Sequence, residues 1–250
     1  MTRTWCAVFA AFALATAFHA GAADARKYAV LSALGDRFLV VNHDPEVGTR
    51  INRDRRESIE LPPRAIDGAI ALNVEKAIKR EDASAQVVLL GASPALYSAQ
   101  GEPSESPDVQ PVVALVKPVL APTGATHLVL ITKLRHEALL KFRDGYVGSG
   151  KLDGLGFYLD HNVMTRASDT GHRGRGFIAP FAYFRVSLVD MATGTTIGHR
   201  DVVASIAISA ARSPSLQAWQ ALTAEQKIRI ITTLVDRESA AAVKSLVENP

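Results

Sequence analysis

The stretch Ala182–Ile208 limits the possible folds of this chain more than any other. Ala182 to Asp190 (AYFRVSLVD) alternates along its length, with Phe184, Val186 and Leu188 on one face and Tyr183, Arg185, Ser187 and Val189 on the other. That is the pattern of a half-buried β-strand whose first face points to a core. Met191 to Gly194 then turns the chain, and Thr195 to Ile208 brings it back. A chain with this hairpin folds around a sheet.

The rest of the chain supplies elements to pack on that sheet. Tyr28–Leu34 and Arg37–Asn42 are short apolar runs broken by Gly35-Asp36, which predicts two strands joined as a hairpin. Ile66, Ile70, Val74 and Ile78 recur every fourth position, with Lys76, Lys79 and Arg80 gathered in the last turn. This is one buried helical stripe whose last turn carries cations that complement the macrodipole. Ala85–Leu90 predicts a mostly buried strand, and Thr126–Lys133 a strong one with Phe142 as its furthest end. Residues 101–122 carry five prolines, yet Val112–Leu120 is apolar enough for a short helix. Two helices are expected to close the chain, one capped at Ser213-Pro214 and one opened by the capping-box spacing of Thr223 and Gln226 before Ile228, Ile231, Val235, Ala242 and Leu246. The order of elements predicts an α/β fold, a mixed β-sheet with helices packed against it.

Between Asp144 and Gly176 the composition changes, with eight of the 17 glycines in this one segment. Loop, hairpin or flap are the alternatives, and a Gly-rich hairpin or loop excursion used for recognition is the expectation.

Residues 1–22 carry an address. Arg3 supplies a positive start, Cys6–Phe18 an apolar run too short to span a membrane, and Ala20-Gly21-Ala22 a small-residue cleavage pattern. Ala23-Asp24-Ala25 is an alternative cut. The expected mature chain, 23–250, is one domain in the periplasm or outside the cell, and not membrane-spanning. Cys6 is the only cysteine, so no disulfide is expected to stabilise it. A net charge of about +2 after cleavage is far from the basic stripe that nucleic acid demands. The one basic cluster, Arg50, Arg53, Arg55 and Arg56, is interleaved with Asp54 and Glu57 and reads as a solvated loop.

Motifs for chemistry are weak. Gly145 to Lys151 fits the first positions of a phosphate-binding loop, but Leu152 replaces the Ser or Thr that holds magnesium. Gly35-Asp36 and Asn42-His43-Asp44 lack the spacing and the early Asp-x-His pair of a two-metal phosphoesterase. Ser98, Ser149 and Ser168 sit in no nucleophile elbow. No metal or other cofactor is therefore expected. Asp160, His161, His172, Arg173 and Arg175 form the densest polar group of the glycine-rich segment and are the candidate binding set. A hydrolase using Asp160, His161 or His172 is the first alternative. A carrier with a pocket roofed by Phe157, Tyr158, Phe177, Phe181, Tyr183 and Phe184 is the second.

Gly124-Ala-Thr-His-Leu-Val-Leu-Ile131, with Tyr183-Phe-Arg-Val-Ser-Leu-Val-Asp-Met-Ala-Thr-Gly-Thr-Thr-Ile197 downstream, resembles bacterial envelope proteins of the CsgG, LpoB and TolB amino-domain type. In these a helix leads into a Gly-Ala-Asp-Tyr-Val-Leu strand, and a later hairpin turns at Asp-x-x-Thr-Gly. The resemblance implies a non-catalytic accessory protein that binds another envelope component. The lipid-bearing cysteine common in CsgG and LpoB is missing, and pore formation is not implied.

Overall fold

The computed structural model describes residues 26–44, 54–62, 65–166, 171–213 and 217–248. The leader 1–22, Arg50, Arg53, Ser168 and the proline of the Ser213-Pro214 cap lie outside the described residues. The fold is mixed α/β, a large mixed sheet with helices packed around it.

In chain order the strands are β1 (Lys27–Ser32), β2 (Arg37–His43), β3 (Arg55–Glu60), β4 (Gln86–Leu90), β5 (His127–Lys133), β6 (Arg135–Glu137), β7 (Leu140–Phe142), β8 (Gly145–Val147), β9 (Lys151–Arg166), β10 (Arg173–Asp190), β11 (Thr196–Ser205) and β12 (Ile208–Ser209). The helices are α1 (Asp67–Glu81), α2 (Pro94–Ala99), α3 (Gln110–Leu120) and α4 (Ala224–Glu248).

β10 organises the sheet. Along one edge it pairs antiparallel first with β9, from Arg173↔Arg166 to Tyr183↔Gly154, and then with β5, from Phe184↔Lys133 to Asp190↔His127. Its other edge takes β11 and β12. β2 and β3 lie outside β9, and β1 and β4 lie outside β5. β1 and β2 therefore belong to different halves and run in the same direction, so the expected hairpin across Gly35-Asp36 does not form. The four residues between them step the chain from one half to the other.

That step is held by Asp67, at the start of α1. Its Oδ1 accepts from Ser32 Oγ at 2.5 Å and Leu34 N at 2.9 Å, while Oδ2 accepts from Gly35 N at 3.1 Å and the Tyr97 hydroxyl at 2.5 Å. A compact turn signal is indistinguishable from such a step when the anchor lies 32 residues or more downstream.

Three apolar clusters fill the fold. α1 and α4 cover one whole face, where Ile66, Ile70, Val74 and Ile78 meet Val30, Phe157, Phe184, Val186 and Leu188. The opposite face is covered in two parts. α2 and α3 pack on the β1–β5 half through Leu96, Val112, Val116 and Leu120. Ala138, Leu140 and Leu152 close the β2–β9 half over Tyr158, Phe177, Phe181 and Tyr183. β10 is consequently buried on both faces from Phe177 to Arg185's neighbours, rather than half-buried as its alternation predicts. The six aromatics do not roof one pocket, because Phe157 and Phe184 lie on one face and the other four on the other.

The glycine-rich segment is the hairpin among its three alternatives, but its arms are central strands and not an excursion. Gly156 sits where a Cβ would meet Leu39 O at 1.9 Å and the Phe181 ring at 2.7 Å, so close strand packing demands it. Gly176 has a φ of +92° at a bulge opposite Asp160. The lysine of the phosphate-loop lookalike, Lys151, opens β9 and no helix, and it pairs with Glu105.

Other expectations are met or corrected by context. The Asp190 turn forms as expected, with Asp190 Oδ1 accepting from Ala192 N at 2.8 Å and Thr193 N at 2.9 Å and Gly194 at a φ of +76°. The capping box also forms, with Thr223 N donating to Gln226 Oε1 at 2.8 Å and Gln226 N to Thr223 Oγ1 at 3.2 Å. β4 is an edge strand with Leu89 exposed, not a mostly buried one. Arg55 and Arg56 lie in the edge strand β3, where a loop is expected. A 3₁₀ turn at Ala218–Ala221 takes the place of the first closing helix, and Ile228 faces solvent.

Candidate functional site

The outer end of the β9–β10 hairpin carries the candidate set. Asp160 is buried, and its Oδ1 accepts from Asn162 N at 2.6 Å and Val163 N at 3.1 Å. Both bonds go to the backbone of its own strand, beside the bulge at Gly176. His161, His172, Arg173 and Arg175 are all exposed. The structure thus brings these residues to one hairpin end without joining Asp160 to either histidine as a catalytic pair. Thr165 locks this end from inside, donating to Gly176 O at 2.8 Å and sharing a 2.7 Å hydrogen bond with Ser209.

Two features of this end are absent from the sequence reading. Val163 and Met164 on β9 and Tyr146 and Val147 on β8 are exposed, Met164 by 67% and Tyr146 by 62%. They border a groove with Phe142, Arg143, Asp144 and Arg166. Across the strands, Arg166 stands directly opposite Arg173 and Met164 opposite Arg175. Like charges facing one another across a sheet are destabilising. Arg166 relieves part of this by donating from Nε to Gly171 O at 3.0 Å. The surface is an apolar strip with guanidinium groups around it, the composition that anchors protein contacts. Period-2 alternation in β9 breaks at the bulge, so exposed Val163 and Met164 have no clean signal.

A second polar site lies where the two covers of the sheet meet. Arg37 from β2, Arg56 and Ser58 from β3, Arg135 from β6, Asp153 from β9 and the Glu102-Pro103 loop line a cleft of about 440 Å³. Burial pushes the Asp153 carboxyl above its ordinary range, although Arg56, Arg37, Lys133 and Arg135 all pull it the other way. Arg56 Nη1 is 3.7 Å from Asp153 Oδ2, and Lys133 is taken by Asp36 at 2.6 Å. Asp54 at the cleft wall faces His43 Nδ1 at 2.8 Å. No group of three or more His, Cys, Asp or Glu placed to hold a metal ion occurs among the described residues. Nor is any helix among them long and apolar enough to cross a membrane.

No protein-family model matches the chain. No curated protein matches it either. Among solved structures it is similar to a neuraminyllactose-binding hemagglutinin homolog from Helicobacter pylori, at 8% identity and a TM-score of 0.40, covering 89% of this chain and 86% of that one. It is also similar to the hypothetical protein CT253 from Chlamydia trachomatis, at 13% identity and a TM-score of 0.37, covering 90% of this chain and 99% of that one. Similarity this distant assigns neither family nor activity.

Proposed function

We propose that this chain is an exported, non-catalytic accessory protein of the bacterial cell envelope that binds an acidic partner protein through the end of its β9–β10 hairpin. The observation that carries the reading is the facing pair Arg166 and Arg173 beside exposed Val163, Met164 and Tyr146. A carboxylate-bearing surface set against this strip would relieve the repulsion and cover the apolar side chains together. Export rests on the leader that ends at Ala20-Gly21-Ala22. The envelope assignment rests on the resemblance to the CsgG, LpoB and TolB amino-domain type. Asp160 belongs to the scaffold of the contact, and His161, His172, Arg173 and Arg175 to its rim.

The test is affinity capture from periplasmic extract with the native protein and with Val163→Ser/Met164→Ser/Arg173→Glu. A partner retained by the first, released by salt and lost by the second is the expected result. Equal capture by both would place the contact elsewhere. Recovery of the protein from the cytoplasm with Met1 intact would overturn export.

A further inference from the structure

We propose that the cleft between the two covers of the sheet binds a small oxyanion, a carboxylate or phosphate group, through Arg37 and Arg135. This site is separate from the hairpin end and does not depend on it. Three arginines from three different strands converge on one half-buried carboxyl, that of Asp153, whose side chain is 15% exposed. Among the described residues only Arg56 pairs with it. Arg37 and Arg135 have no carboxylate within 4.0 Å among the described residues, although both border the same 440 Å³ space. Neither of the other acidic groups that line the cleft pairs with them. Asp54 is engaged by His43, and Glu102 is exposed on the loop after α2.

Arg185 shows the contrast of a guanidinium already satisfied. Arg185 grips Asp201 with two prongs, Nε at 2.5 Å and Nη2 at 2.8 Å. Two guanidinium forks left open beside a third, on strands and not on loops, form a fixed receptor for a planar or tetrahedral anion. Asp153 sets its limits. It holds Arg56 in place and repels a ligand with more charge than the two open forks can match. Register fixes the geometry, since Arg135 lies directly opposite Asp153 across the β6–β9 pair.

The experiment is calorimetric titration of the full mature protein with inorganic phosphate and, separately, with succinate, at low ionic strength. Saturable binding of at least one probe is expected, and which one binds tells a tetrahedral from a carboxylate receptor. Arg37→Gln/Arg135→Gln should weaken binding at least about tenfold, while Arg143→Gln/Arg166→Gln at the hairpin end should leave it unchanged. Arg37→Lys/Arg135→Lys, which keeps the charges but loses the forks, guards against misfolding and should bind with intermediate strength. Absence of saturable binding by the native protein, equal affinity in the glutamine variant, or equal loss at the hairpin end would each overturn the proposal.

Discussion

Asp67 and Gly35 fit each other through a missing side chain. Gly35 N donates to Asp67 Oδ2 at 3.1 Å, and a Cβ on Gly35 would lie 2.9 Å from that same oxygen. Gly35→Ala should therefore push the carboxyl off its donors, and Asp67→Ala should strand Ser32 Oγ, Leu34 N and Gly35 N together. With about 1–3 kcal/mol for each buried group left unpaired, Asp67→Ala is expected to cost at least about 3 kcal/mol. Tyr97→Phe, which removes one donor, should cost about 1 kcal/mol. Urea midpoints at constant slope check both.

Phe184 faces α1 and α4 from the middle of β10 and is wholly buried. Phe184→Ala should destabilise by about 3–5 kcal/mol. An unchanged denaturation midpoint would contradict its placement.

A short Gly-Ser linker in place of Leu155–Arg175 is the replacement that an excursion would tolerate. Leu155, Phe157 and Leu159 belong to the main core, and Tyr158 to the cluster behind it. The deletion should abolish cooperative unfolding. Val163→Ser/Met164→Ser, at exposed positions, should shift stability by no more than about 0.5 kcal/mol. Calorimetric melting of the two proteins separates scaffold from contact surface.

Burial pushes the phenols of Tyr158 and Tyr183 up to about 12. Both states hold these protons below about pH 10, the ordinary value, so the stabilising contribution is complete there. Between about pH 10 and 12 the unfolded chain releases them first and stability falls, by up to about 2–3 kcal/mol for each tyrosine. Tyr183→Phe should move alkaline unfolding to higher pH, although it forfeits the bond that Leu139 N donates to the hydroxyl at 2.8 Å. Circular dichroism during alkaline titration measures the shift.

Local patterns were legible wherever neighbours in sequence are also neighbours in space. The Ile66–Ile78 stripe, the Asp190 turn and the Thr223–Gln226 box depend on contacts within a few residues or on one face. The step at Gly35-Asp36 was not legible, because its meaning depends on Asp67. Glycine density between 144 and 176 misled for the same reason. Gly156 answers to Leu39 and Phe181, and neither is near it in sequence. The oxyanion cleft was the least accessible to reading, since Arg37, Arg56, Arg135 and Asp153 come from four strands and share no spacing.

One strand serving both halves of the sheet has a consequence for how the molecule comes to exist. Until residues 173–190 are available, β1, β4 and β5 on one side and β2, β3 and β9 on the other have no common partner. Loop closure must precede the reward for it, which slows folding and favours a single concerted transition. If the chain is exported as proposed, threaded across a membrane before it folds, that order would keep the sheet from assembling until roughly three-quarters of the polypeptide had passed through.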